Sequence, residues 1–299
     1  MIRPSVLRPG DTVALVSPAK AIEPELIQAA ARFFEEKGFR VLIGAHAAGS
    51  HNYFSGTDAE RIADLQWAID HPDVKAIICN RGGYGALRVL QQVQWANFLR
   101  EPRWLTGFSD ITNFHAQGLK LGVETIHSTM PLNFAENTPQ SLSSLLSILE
   151  HGHSEIHWEA QTTGISGSAT GRVIGGNLSI LYSLLGTPLC PSFQDAILFI
   201  EDVGEQMYHL DRMFQAMKLA GVFDEIAGLV IGGMTDMKDT ATPTNFTVEG
   251  LVREMLQFRS IPVAFEAPIG HQNDNQAVIV GRIGHLTVAD KQGTLVQSN

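Results

Sequence analysis

The chain has 299 residues, 44% of them hydrophobic and 17% charged, and carries a formal net charge of −10 at pH 7. That length fits one large or two medium domains, each with a core of its own. The acidic balance argues against a nucleic-acid partner, whose phosphates need clustered Lys and Arg, but leaves room for a local basic pocket.

Two cysteines, Cys79 and Cys190, are too few for a disulfide framework or a cysteine zinc site and read as small core residues. The N-terminus "MIRPSVLRPGDTVALVSPAKA" imitates a signal peptide, yet "VALV" is too short for its apolar region and Asp11 closely precedes it. No later apolar stretch reaches membrane-spanning length. These features point to a cytoplasmic protein without a membrane partner.

In chain order, strand and helix patterns alternate. "TVALVS" reads as a strand, and "PELIQAAARFFEEKG" as a helix opened by Pro24 and stopped at Gly38. "FRVLIG" is a strand; "TDAERIADLQWAID" is a helix that begins with a capping box, Thr57 and Glu60. "VKAIICN", "WLTGF" and "VETIHS" follow as strands, separated by helices over "YGALRVLQQV" and "DITNFHAQGLKLG". Buried strands alternating with helices imply a parallel sheet covered on both faces, with ligands outside the carboxyl ends of its strands.

"TPQSLSSLLSILEHG" is a further helix capped by Thr138. Residues 151–171 are polar and rich in Gly, Ser and Thr, and read as a linker with a possible strand around Ile156–Trp158. Beyond it come a helix over "GGNLSILYSLLG", a strand "AILFIED", a helix "QMYHLDRMFQAMKLAG", a strand "IAGLVIGGM" and a helix "TVEGLVREMLQF". The end is strand-like with tight turns. The expected organisation is an α/β protein: a flavodoxin-like parallel-sheet domain over 1–137, a linker helix and polar loop over 138–171, and an α/β domain with a strand-rich end over 172–299.

Four strand ends lead into unusual polar loops. "AIICNRGGYGAL" lacks both the G-x-G-x-x-G spacing and a phosphate-loop Lys, so nucleotide binding is weakly supported. Its consecutive glycines let a backbone N–H approach a ligand, as an oxyanion hole requires, and a plain tight turn is the alternative. In "WLTGFSDIT", Ser109 is either a helix cap or a nucleophile on a strand-to-helix turn. Ile111 stands where the familiar G-x-S-x-G elbow has its last glycine. "AILFIEDVGE" puts Glu201 and Asp202 at a strand's end, where an unpaired buried carboxylate is costly; such a group orients a His, binds an Arg or faces solvent. "PIGHQNDN" places His271 after a turn in a polar loop. Ser, Glu and His at three strand ends supply a nucleophile, an orienter and a base, and triads are recognised by geometry whatever their sequence order. The histidines of "HGHSEIH" (His151, His153, His157) lack helical metal-site spacing and read as exposed linker residues. The methionines of "QMYHLDRMFQAM" read as core.

The blocks "GDTVALVSPA", "RGGYG", "GFSDIT", "GRVIGGNLSIL", "ILFIEDVGE" and "PIGH", in this order, resemble the LD-carboxypeptidases, serine peptidases also called murein tetrapeptide carboxypeptidases, over nearly the whole chain. The resemblance implies Ser109 as nucleophile, Glu201 as orienting acid and His271 as general base. It implies an oxyanion hole from the backbone N–H groups of Gly83 and Asp110, no metal or organic cofactor, and a homodimer. The implied reaction removes the terminal D-Ala from the cytoplasmic murein tetrapeptide L-Ala-γ-D-Glu-meso-diaminopimelate-D-Ala in peptidoglycan recycling. Arg81, beside the oxyanion loop, is a candidate for the substrate carboxylate, with a structural ion pair as its alternative. A relative in the same family hydrolyses microcin-type aminoacyl nucleotides and confers self-immunity. That reading would need an aromatic to stack on the base, and Trp158 either serves or is half-buried between domains. A non-catalytic peptide-binding protein is the remaining alternative.

Overall fold

The computed structural model of the chain describes residues 1–298. Five parallel strands of the N-terminal part build the first sheet: β1 (Thr12–Val16), β2 (Arg40–Ile43), β3 (Val74–Cys79), β4 (Trp104–Gly107) and β5 (Thr125–His127). Their spatial order is β2-β1-β3-β4-β5, the flavodoxin-like arrangement, with its switch point between β1 and β3. The loops that leave the carboxyl ends of β1 and β3 are therefore where a ligand is expected.

Helices α1 (Pro24–Glu36), α2 (Asp58–Asp70), α3 (Ala86–Leu90), α4 (Ala96–Arg100) and α5 (Thr112–Leu121) make the connections. The Thr57 box is present: Glu60 N–H donates to Thr57 Oγ1 at 3.3 Å, and Thr57 N–H to Glu60 Oε2 at 2.8 Å. The helix expected over 84–93 is only α3, and the separate α4 was not anticipated.

Helix α6 (Pro139–His151) sends Leu145, Ile148 and Leu149 into the same core as Phe34 and Trp104, so it covers the first sheet. The polar segment after it carries the strand expected around Ile156–Trp158 and the start of a second one. It holds β6 (Ser154–Glu159) and the first part of β7 (Gly167–Asn177). Ser154 and Ile156 face inward while Glu155 and His157 face out, and an edge strand with one wet face reads as polar in sequence. Strand β7 was hidden by four glycines.

The remaining elements are α7 (Leu178–Leu184), β8 (Ala196–Val203), α8 (Met207–Leu219), α9 (Val222–Glu225), β9 (Gly228–Thr235), α10 (Val248–Met255), β10 (Val263–Ala264), β11 (Val278–Val280), β12 (Ile283–Ala289) and β13 (Gln292–Gln297). The second sheet runs β10-β9-β8-β7-β12-β13-β6. Its first four strands are parallel, and β12, β13 and β6 add antiparallel. Strand β11 leaves this domain and pairs antiparallel with β5, becoming the sixth strand of the first sheet. Among the described residues no helix is long and apolar enough to cross a membrane.

Candidate active site

The loops at the switch point and the end of β4 come together. Ser109 follows β4 after Phe108, opens a single 3₁₀ turn (Ser109–Ile111) and has φ 62°, a left-handed conformation that costs a non-glycine residue roughly 1–3 kcal/mol. Gly107 permits the turn, because a Cβ there would lie 2.9 Å from the Ile111 side chain. A Cβ on Gly82 would come 3.1 Å from Ser109 Cβ and 3.2 Å from the Asp110 nitrogen, so the glycine loop lies against the serine. Neither Gly83 nor Asp110 spends its N–H on a backbone acceptor among the described loop hydrogen bonds.

Asp110 does more than open the helix. Its buried carboxylate accepts from Ala86 N–H at 2.8 Å and from Asn113 Nδ2 at 3.0 Å, which ties the serine turn to the start of α3 just beyond Tyr84-Gly85. Burial raises its pKa, against these donors.

Glu201 and His271 come from the C-terminal part of the chain. Glu201, at the end of β8, is fully buried. Its Oε2 lies 2.5 Å from His271 Nδ1 and accepts from the His271 backbone N–H at 3.2 Å. Gly270, with φ +99°, makes the approach possible: a Cβ there would sit 2.4 Å from Glu201 Cγ. The His271 ring packs 4.7 Å from the ring of Phe108, the residue before Ser109, so the His271 loop meets the Ser109 turn. Beside them, Thr112 Oγ1 accepts from Asn177 N–H at 3.0 Å, joining the start of α5 to the end of β7.

Electrostatics follow from this packing. Burial pushes Glu201 toward neutrality, but the charge of His271, the nearby His127 and the His271 hydrogen bond outweigh it and hold the carboxyl at about 2. Burial disfavours the charged form of His271, yet the Glu201 charge and hydrogen bond prevail and raise its pKa. Next door, burial and the Glu201 charge push Asp202 up to about 6. Asp202 serves structure: it accepts from Asn177 Nδ2, Ser179 N–H and Val203 N–H, each at 2.9 Å, at the start of α7.

Arg81 stands beside the loop, half-buried, with Nη1 donating to Ala21 O at 2.9 Å; no carboxylate pairs with it among the described residues. Trp158 lies on the edge strand β6, with Nε1 donating to Phe265 O at 2.8 Å and its ring over Gly293, so it helps join the two ends of the second sheet. His153 and His157 share Glu155, at 3.3 and 2.7 Å, on the outer face of β6.

Two features of the site had no signal in the motifs. Lys20, on the loop after β1, gives its N–H to Gly82 O at 3.3 Å and holds Nζ 4.7 Å above the Tyr53 ring. It has no carboxylate partner among the described residues. Its signal was available in topology, as a cation at the switch point. The other is His127, the last residue of β5, whose Nε2 lies 3.9 Å from Glu201 Oε1.

At the level of class, this is an α/β protein of two mixed sheets whose polar loops meet at strand ends. A family model described as the LD-carboxypeptidase N-terminal domain matches residues 13–128, and one described as the C-terminal domain matches residues 170–286. A Synechocystis sp. protein named as a carboxypeptidase is 33% identical, covering 95% of this chain and 94% of its own. The murein tetrapeptide carboxypeptidase of Pseudomonas aeruginosa is 29% identical, covering 92% of each. The crystal structure of muramoyltetrapeptide carboxypeptidase from Oxalobacter formigenes superposes with a TM-score of 0.88 at 25% identity, over 96% of this chain and 99% of that one. The chain belongs to the LD-carboxypeptidase family.

Proposed function

We propose that the protein is a serine carboxypeptidase that removes the terminal D-Ala from murein tetrapeptide in peptidoglycan recycling, acting in the cytoplasm, as a homodimer and without metal or organic cofactor. The observation that carries the reading is the buried Glu201–His271 pair set against the strained Ser109 turn. His271 takes the Ser109 proton as Ser109 Oγ bonds to the diaminopimelyl carbonyl carbon. The resulting oxyanion is received by the N–H groups of Gly83 and Asp110. Collapse breaks the C–N bond, and His271 returns the proton to the departing D-Ala amine. Water, deprotonated by His271, then cleaves the acyl ester and restores Ser109.

The leaving residue carries a free carboxylate, and Arg81 and Lys20 are the cations beside the glycine loop. We assign its recognition to this end of the site. The decisive experiment is mass analysis of products from murein tetrapeptide, from its C-terminally amidated and L-Ala-terminated analogues, and from an aminoacyl sulfamoyl adenosine. Release of D-Ala from the free-acid peptide, with the two analogues poorer by up to about 10⁴-fold in kcat/KM, supports the reading. Comparable rates on all three peptides, or turnover of the nucleotide alone, overturn it in favour of the microcin-type activity.

A further inference from the structure

The Glu201 carboxylate is only half engaged by the base. Oε2 takes both contacts from His271, while Oε1 is buried and has no hydrogen-bond partner among the described residues. His127 stands opposite it. Both side chains are fully buried, Nε2 lies 3.9 Å from Oε1, and neither ring nitrogen of His127 has a hydrogen-bond partner. An imidazole carries at least one N–H in any protonation state, and leaving that donor unpaired beside an unpaired anionic oxygen is costly.

Glu201 Oε1 is the acceptor recorded against His127 Nε2, and the other groups around the ring are aromatic or committed. Phe199 and Phe108 flank the ring at 5.1 and 6.0 Å between centroids. His115 on α5, at 6.0 Å, has both nitrogens committed, to Thr125 Oγ1 and to Gly107 O, each at 2.9 Å. Burial keeps His115 neutral, with its pKa lowered to about 3. The remaining titratable groups here are Glu201 and Asp202 on β8 and His271 beyond Gly270. A movement of about 1 Å brings His127 Nε2 into hydrogen-bond range of Oε1.

We propose that His127 is a positioning residue for the catalytic pair, its Nε2–H donating to Glu201 Oε1 while His271 holds Oε2. The proposal rests on the triad reading above. It has a structural corollary: His127 pairs in register with Gly107, at the end of the strand that carries Ser109, whereas Glu201 belongs to the second domain. The same contact then fixes the acid and joins the two halves of the site. Taking a donor away from the anion makes Glu201 more basic, so the pair binds its proton more tightly and His271 titrates at higher pH.

The test is a ¹⁵N NMR titration of the free enzyme, which needs no substrate. In the wild type, the His127 ring should show a protonated Nε2. In His127→Phe, the His271 titration should move up by about one pH unit, and in His127→Gln, which restores a donor, it should return toward the wild-type position. An unprotonated Nε2 in the wild type overturns the proposal by itself, even if the Phe variant does not fold. So do superimposable His271 titrations in wild type and His127→Phe. Failure to hydrolyse tetrapeptide, by contrast, would count against the proposed function and leave these readouts standing.

Discussion

Ser109 and His271 reach the site from opposite domains, and each is held by something that is costly to change. For the serine it is a left-handed backbone; for the histidine it is a buried carboxylate. Ser109→Ala and His271→Ala should each lower kcat by about 10⁴-fold or more, and the double variant should be little worse, because the groups act as a unit. Glu201→Gln should retain more activity, since the base survives without its orienting charge. Substantial turnover by Ser109→Ala would sink the acyl-enzyme mechanism. The pH dependence has a definite sign. As the proposed base, His271 must be neutral to accept the proton, and its pKa is raised above the ordinary 6.5, so kcat/KM should fall as pH drops through a limb above 6.5. Stability runs the other way for this group. The raised pKa contributes stability that is full below 6.5 and lost as pH rises through the folded value. The lowered Glu201 contributes stability above its ordinary 4.5 and loses it as pH falls toward about 2. Paired profiles of activity and of denaturant midpoint against pH should therefore diverge near the His271 limb; an acid limb well below 6.5 would contradict the pairing.

Turns between elements set the geometry, and Gly270 tests this most directly. Gly270→Ala combines a positive φ with a Cβ placed 2.4 Å from Glu201 Cγ. It should destabilise by about 2–4 kcal/mol and cost at least about 10²-fold in kcat by displacing His271. Gly221→Ala has the same kind of backbone, φ +80°, but nothing within 4 Å of the new Cβ, so only the backbone cost of roughly 1–2 kcal/mol should appear, with activity intact. Equal loss of activity in both would mean that the Gly270 contact is irrelevant to the site. The same elements explain what could be read from sequence. Ser109, Glu201 and His271 stood out because each ends or follows an apolar run and leads into a polar loop. Strand β7 did not, because Gly167, Gly171, Gly175 and Gly176 read as loop. In the structure three of these glycines admit close neighbours: a Cβ on Gly175 would lie 1.9 Å from Phe199 O, one on Gly171 2.3 Å from Asp195 O, and one on Gly176 2.5 Å from Thr112 Oγ1. His127 was hidden for another reason. It closes an ordinary strand pattern, and only the non-local meeting of β5 with β8 gives it a carboxylate.

At the scale of the whole molecule, the first sheet draws on segments far beyond its five N-terminal strands. The core under the first sheet includes Leu145, Ile148 and Leu149 of α6 and Ile279 of β11, all buried with Phe34 and Trp104. Just beyond β11, Arg282 donates to Glu124 Oε2 through Nε at 3.1 Å and through Nη2 at 2.6 Å, and its Nη1 bonds Gly152 O. Both side chains are nearly inaccessible, at 3% and 6% exposure. A buried pair of this kind adds little net stability when intact, but removing one partner strands the other and typically costs about 3–5 kcal/mol. A fragment of residues 1–137 lacks a strand, a helix and this clamp, and should fail to give a cooperative unfolding transition. The full chain should unfold in a single calorimetric transition, and Glu124→Ala should lower its midpoint without splitting it. Replacing both partners, as Glu124→Leu with Arg282→Met, should recover part of the loss, since neither member of the buried pair then strands the other. Two resolved transitions in the wild-type chain would show that the domains are energetically separate despite the shared strand, and the Ser109–His271 alignment would then depend on domain docking alone.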